Sequence, residues 1–253
     1  MPRTGRKKSE SGIYHIMLRG INRQDLFEDD EDREKFMETL ALYKGKSEYV
    51  VYAYCLMNNH VHILVKEVKE PLSLIMKRIS SSYVYYYNRK YNRCGHLFQE
   101  RYKSETVEDE RYFLTVLRYI HQNPIKANMI KNLEEYKWCS YIEYITGSKI
   151  VDTDFALGIF SGDKSVAIES FINYNNERNE DKCLEYEVNK RIDDIEAREI
   201  IKRIARVDNI YDIQGFEKER RNEIVKRARE IEGLSIRQIV RITGISFNIV
   251  KLL

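Results

Sequence analysis

Close cysteine spacing is missing from this chain. Its four cysteines, Cys55, Cys94, Cys139 and Cys183, are scattered. That excludes a CxxC metal knuckle and suits reduced thiols in a cytosolic protein. No apolar run reaches the ~18–20 residues that a membrane helix needs, so no membrane partner is expected. The first residues are polar and basic without an apolar core, so no signal peptide is expected either. A strong excess of one charge is also missing. Lys and Arg number 43 against 40 Asp and Glu, a net charge of +3, too small by itself to demand a nucleic-acid partner.

What is present is a chain of 253 residues, 43% hydrophobic and 33% charged, enough for one full-sized domain and a smaller one. Basic residues are unevenly placed. Arg3, Arg6, Lys7 and Lys8 form an N-terminal arm, and Lys77, Arg78, Arg89, Lys90, Arg93, Arg101 and Lys103 cluster in the middle. Such clusters can track phosphates, although a solvated mixed-charge surface gives the same pattern.

Ile13 to Leu18 reads as a strand, and Asp29 to Asp32 suits a helix N-terminus, where the macrodipole favours anions. Tyr49 to Met57 is rich in β-branched and aromatic residues, Asn58-Asn59 suits a tight turn, and His60 to Lys66 is the expected hairpin partner. Pro71 opens a second helix, 96–107 reads as another strand, and a third helix runs from Glu108 towards Asn123, with Pro124 near its end. This order predicts an α+β, ferredoxin-like antiparallel sheet with helices packed on one face.

Residues 148–190 mix Gly, Asp and Asn with short apolar runs and are expected to be a partly helical connector. Residues 191–253 are expected to be all helical. Glu217 to Ile231 is amphipathic, Ser235 and Gln238 form a capping box, and Ser246 is the expected N-cap of a last helix after Gly244. Two short helices after a longer one predict a helix-turn-helix.

Two motifs carry chemistry. In a strand, His60 and His62 share one face while Val61 points to the other, so two imidazoles can chelate a metal. The same spacing also occurs on an ordinary sheet surface. In a helix, Tyr119 and Asn123 lie one turn apart on one face, bringing a phenol and an amide oxygen towards one point. Spacing alone does not single out Tyr119 from Tyr86, Tyr87 or Tyr112.

The segments 19–24 (RGINRQ), 57–64 (MNNHVHIL), 95–103 (GHLFQERYK) and 119–126 (YIHQNPIK), with 136–141 (YKWCSY) after them, come in an order that resembles the IS200-like, single-tyrosine (Y1) transposases. The REP-associated tyrosine transposases are the most similar branch, and the likeness spans residues 10–147. The family belongs to the HUH nucleases, whose motif is His60-Val61-His62 here. The resemblance implies a transposase domain over 1–147. In it His60, His62 and Asn123 hold Mg²⁺ or Mn²⁺, and Tyr119 attacks single-stranded or hairpin DNA to form a 5′-phosphotyrosine. Arg19, Asn22, Arg23, Arg101 and Lys103 are candidate DNA contacts. The C-terminal helices lie outside the resemblance and are expected to add either duplex-DNA contacts or a partner surface; the protein is expected as a monomer or homodimer, and its location as cytoplasmic and nucleoid-associated.

One position departs from the family pattern. Gln122 stands where an apolar residue is common, off the Tyr119–Asn123 face. His121, about 100° around the helix from Tyr119, is not expected to be its base, and His96 is not expected to be a ligand. Two competing functions fit the same residues: a non-catalytic DNA-binding regulator using the helix-turn-helix, and a metal-dependent phosphodiesterase without a covalent step.

Overall fold

The computed structural model describes residues 6–185, 192–231 and 233–253. Arg3 and the last residues of the expected connector, 186–190, lie outside the described residues. The chain divides into two compact units, Met1–Glu185 and Tyr186–Leu253.

In the first unit, β1 (Ile13–Arg19), β2 (Val50–Leu56), β3 (His60–Lys66) and β4 (Lys103–Thr106) form one antiparallel sheet in the order β2-β3-β1-β4. The crossovers are α1 (Asp30–Ser47) and α2 (Leu72–Lys90), as in a split βαβ repeat. The Asp29 side chain accepts from the Asp32 amide, and the Asp32 side chain accepts from the Asp29 amide. This reciprocal cap fixes the start of α1. Asn58-Asn59 turns β2 into β3, closed by Met57 N–H donating to the His60 carbonyl at 2.9 Å.

The expected strand over 96–107 is shorter. Only Lys103–Thr106 pairs continuously, and upstream the sole bridge joins Phe98 to Gly20. The backbone of 97–99 instead bonds the end of β1 and the turn after it, through Ile21 N to Leu97 O and Gln99 N to Arg19 O. Leu97 and Phe98 are buried consecutively, which a one-sided alternating strand does not permit.

Paired residues share a face. His62 pairs with Met17 and Cys55, and His15 with Leu64. Ile16, Val61, Ile63 and Val65 point the other way and are also fully buried, so the sheet is covered on both faces rather than one. On the histidine side lies α3 (Glu110–Lys126), whose Tyr119 ring meets those of His15 and His62 edge-on. That leaves the opposite face to α1 and α2, which are joined through Phe27, Phe36 and Tyr83. Pro124 sits inside α3, which continues two residues further to Lys126.

A single turn, α4 (Glu143–Thr146), precedes α5 (Asp154–Phe160) and α6 (Lys164–Asn176). Both of these fall in the expected connector. Yet Ala156, Leu157, Ala167 and Phe171 are buried in the same core as the sheet, so the first unit extends to residue 185 rather than closing at 147.

The second unit holds α7 (Asp194–Ala205), α8 (Lys218–Glu230), α9 (Ile236–Thr243) and α10 (Phe247–Leu252) around Ile201, Ile213, Val225, Ile239 and Val250. The Ser235–Gln238 capping box is formed. Gly244 ends α9 at φ 71°, in the left-handed region, with the Gln214 side chain where a Cβ would stand. Ser246 is at the N-cap of α10 but its side chain makes no capping bond. α7 and the 3-10 segment Ile210–Gly215 fall within the span expected to be helical, although neither had been singled out as an element. Among the described residues no helix is long and apolar enough to cross a membrane.

Candidate histidine and tyrosine site

The alternation of β3 brings His60 and His62 to one side, with ring centroids 5.1 Å apart. Each ring has a different Nδ1 partner. His60 Nδ1 lies 2.8 Å from Asn59 Oδ1, a contact made within the turn. His62 Nδ1 lies 2.9 Å from His15 Nε2, a contact made across the β1–β3 ladder. Burial holds His15 down at about 3 and His60 at about 4, the Arg19 charge adding to the latter. His62 is also held well below its ordinary value, by burial and then by the two neighbouring rings. All three are therefore neutral near pH 7.

Neutral rings leave a choice of tautomer. If each Nδ1–H donates, to Asn59 Oδ1 and to His15 Nε2, both Nε2 atoms carry bare lone pairs. His62 Nε2 is buried and has no hydrogen-bond partner among the described residues, and the same holds for His15 Nδ1. An orphaned imidazole nitrogen of this kind is costly unless something else binds it.

The third and fourth groups come from α3. Its N-cap Asp109 accepts from Tyr112 N–H at 2.7 Å, and Phe113, Val116, Leu117 and Ile120 are fully buried. Burying that stripe sets the helix rotation and turns Tyr119 and Asn123 to the histidines. Asn123 Nδ2 donates to the Tyr119 carbonyl at 3.0 Å. Its amide lies close enough to His60 to act on that ring, opposing part of the downward shift. Among the described residues no three His, Cys, Asp or Glu side chains are grouped to hold a metal. Two imidazoles, one with an orphaned Nε2, and the carboxamide of Asn123 on the facing helix are a donor set of the kind that fits a divalent cation.

Tyr119 is 2% exposed. Its ring lies 5.8 Å from that of His15 and 5.5 Å from that of His62, with Lys126 Nζ 4.8 Å from its centre. Its hydroxyl donates to Glu185 Oε1 at 2.7 Å. Burial first, and the Glu185 carboxylate second, push the phenol above its ordinary range, so it stands protonated here.

Glu185 ends a strap that crosses α3. Gln122 Nε2 donates to the carbonyls of Asn175 and Glu177 at 2.6 and 3.0 Å. Arg118 Nε donates to Asp181 Oδ2 at 2.8 Å. Leu184 N–H donates to Glu105 Oε2 at 3.1 Å. Gln122 is polar because it fastens this strap.

The candidate DNA contacts divide. Arg19 pairs with His60, and Lys103 with Met17 beside His62, so both side chains are on the histidine face. Asn22 and Arg23 are exposed in the turn after β1, at φ 52° and 63°, and Arg101 is exposed just before β4. Part of the central basic cluster is tied up internally. Lys90 pairs with Asp29, Glu31 and Asp32, and Arg78 with Glu70.

His121 is buried, with Nδ1 3.0 Å from Asn175 Oδ1 and Nε2 3.0 Å from Ser140 Oγ; it ties α3 to α6. His96 is exposed. Sequence reasoning passed over His15, Lys126 and Glu185. His15 had one signal, a lone polar ring inside an apolar strand. Glu185 had none.

Residues 8–123 match a family model described as IS200-like transposase. No curated protein matches the chain. A solved structure of a REP-associated tyrosine transposase bound to a REP hairpin superposes with a TM-score of 0.51 at 12% identity, covering 60% of this chain and 93% of that one.

Proposed function

We propose that this chain, whose residues 8–123 match the IS200-like transposase family model, cleaves and rejoins single-stranded DNA through a covalent 5′-phosphotyrosine on Tyr119. The observation that carries this reading is the packing of the Tyr119 ring on His62, with Asn123 one turn further along the same helix. A nucleophile and a phosphate-binding set are thereby held in one chain, which favours a monomer with its site complete in cis.

A divalent cation, Mg²⁺ or Mn²⁺, held by His60, His62 and Asn123 would offset the charge that builds on the phosphate. His60 and His62 stay neutral for this because they are buried, and Asn59 and His15 orient their rings. Tyr119 supplies the attacking oxygen. The 3′-hydroxyl released can later attack the phosphotyrosine, because the link keeps the energy of the phosphodiester. Arg19 and Lys103 lie where a DNA backbone would pass the histidines, and Asn22, Arg23 and Arg101 extend that basic rim. The structural neighbour was solved with a hairpin, and hairpin DNA is the proposed substrate here. The second unit, with its capped α9 and Gly244 turn, is proposed as a helix-turn-helix for duplex DNA.

The test incubates a labelled single-stranded hairpin with the protein and Mn²⁺ and looks for a denaturation-resistant adduct. An adduct in wild type that is lost in Tyr119→Phe supports the mechanism. Hairpin binding with neither adduct nor cleavage supports the regulator, and cleavage without an adduct supports the phosphodiesterase.

A further inference from the structure

We infer that Glu185 is the proton acceptor for Tyr119 during DNA cleavage and its proton donor during rejoining. This rests on the covalent reading above. Tyr119 cannot ionise unaided near neutral pH, because a phenol titrates near ~10 in water and this ring is packed away from solvent against His15 and His62. A base must take the proton as the bond to phosphorus forms. The hydroxyl donates to Glu185 Oε1 at 2.7 Å, within the reach that proton transfer requires. The neighbouring rings do not serve: His60 and His62 are assigned to the cation, and His15 Nε2 is engaged with His62.

The placement of Glu185 is built rather than incidental. Bonds from Gln122, Arg118 and Leu184 anchor the strap on α3 and on β4, and Lys126 Nζ donates to the Asp181 carbonyl at 3.4 Å. The strap is therefore tied to the helix that carries the nucleophile. Glu185 is itself exposed while Tyr119 is buried, so a proton accepted from the phenol has a route to solvent.

The step balances as follows. The Oη–phosphorus bond forms while the Oη–H proton passes to Glu185. The P–O3′ bond breaks with its electron pair on O3′, which takes a proton from water. In rejoining, an incoming 3′-hydroxyl attacks phosphorus and releases its proton to water. The electron pair of the P–Oη bond returns to Oη, and the Glu185 carboxylic acid returns the proton.

The experiment compares wild type, Glu185→Gln, Glu185→Asp and Glu185→Ala for the rate of adduct formation with hairpin DNA at saturating Mn²⁺. Each is made with tyrosine and with trifluorotyrosine at position 119, and Mn²⁺ affinity is measured in parallel by electron paramagnetic resonance. Glu185→Gln is expected to slow adduct formation by about 10²-fold with Mn²⁺ affinity unchanged. Glu185→Asp should retain part of the rate, and the more acidic fluorotyrosine should recover most of the loss. A Glu185→Gln rate within about twofold of wild type overturns the assignment. So does a faster Glu185→Ala, which would mark the carboxylate as a cap on the nucleophile, or a matching loss of Mn²⁺ affinity, which would mark it as a ligand. An adduct absent from wild type overturns the covalent reading and this one together; an adduct present in wild type and indifferent to Glu185 overturns this one alone.

Discussion

His15 Nε2 and His62 Nδ1 lie 2.9 Å apart across the central strands, two neutral imidazoles hydrogen-bonded out of reach of water. One bond therefore decides which nitrogen of His62 carries the proton. Metal binding requires His62 Nε2 to be bare, so His15 has to accept. Replacing His15 by Ala removes the acceptor and opens a hole, and Mn²⁺ affinity should fall by about 10–100-fold. His15→Gln offers an amide oxygen to the same Nδ1–H and should recover part of it. Calorimetric titration of Mn²⁺ against the three proteins checks this; equal affinities would detach His15 from the site.

Tyr119→Phe removes one hydroxyl and one hydrogen bond to an exposed carboxylate. The ring contacts with His15 and His62 survive, so the melting temperature should move little, by the equivalent of about 1 kcal/mol or less. Adduct formation should vanish. A cleaved and covalently labelled Tyr119→Phe protein would reassign the nucleophile.

Asn123→Ala should weaken Mn²⁺ binding while leaving Tyr119 on the histidine face, because the amide nitrogen bonds a carbonyl of its own helix and the Tyr119 ring is held by its packing on His15 and His62. The adduct rate should then be recovered in part by raising Mn²⁺. No recovery at any concentration would argue that Asn123 serves the tyrosine rather than the cation.

His121 gives a stability signature in acid. Burial holds it at about 4, against 6.5 in the unfolded chain, with Asn175 opposing the shift. The unfolded chain thus binds more protons between those values. The stabilisation from the neutral ring is complete above about pH 6.5 and falls away towards about pH 4, by roughly 3 kcal/mol in all. In His121→Gln the proton uptake on unfolding between pH 6.5 and 4 should drop by about one, read from melting temperature against pH.

In the second unit, Ser235 caps α9 by accepting from Gln238 N–H at 3.2 Å. Ser235→Ala should destabilise that unit by about 1 kcal/mol without changing Mn²⁺ binding. Thermal denaturation and the titration above separate the two effects.

Much of this architecture was legible because local signals and tertiary demands agreed. The alternating side-chain directions in His60-Val61-His62 and the one-turn spacing of Tyr119 and Asn123 depend on strand and helix periods, which neighbouring residues report. The Asp29–Asp32 and Ser235–Gln238 caps are local too. What stayed hidden was non-local. His15 matters through strand register with His62, 47 positions away, and Glu185 through a strap whose partners lie on α3. Residues 154–176 read as a connector because their apolar runs are short, yet Phe171 fills space between Tyr141 and Tyr144. The second cover on the sheet escaped for the same reason: the apolar stripe of α3 says that it packs, but not on which face.

The alternation along β3 makes the site and the core a single decision. Val61 and Ile63 fill one side of the sheet while His60 and His62 face the other. A slip of one residue against β1 would drive both imidazoles into the apolar layer and present valine and isoleucine on the α3 side instead. The energy that rejects that slip comes from hydrophobic burial, not from metal or DNA. The histidine site thus inherits its accuracy from the interior: the register is set before any ligand arrives, and a chain that folds at all has already aimed its histidines.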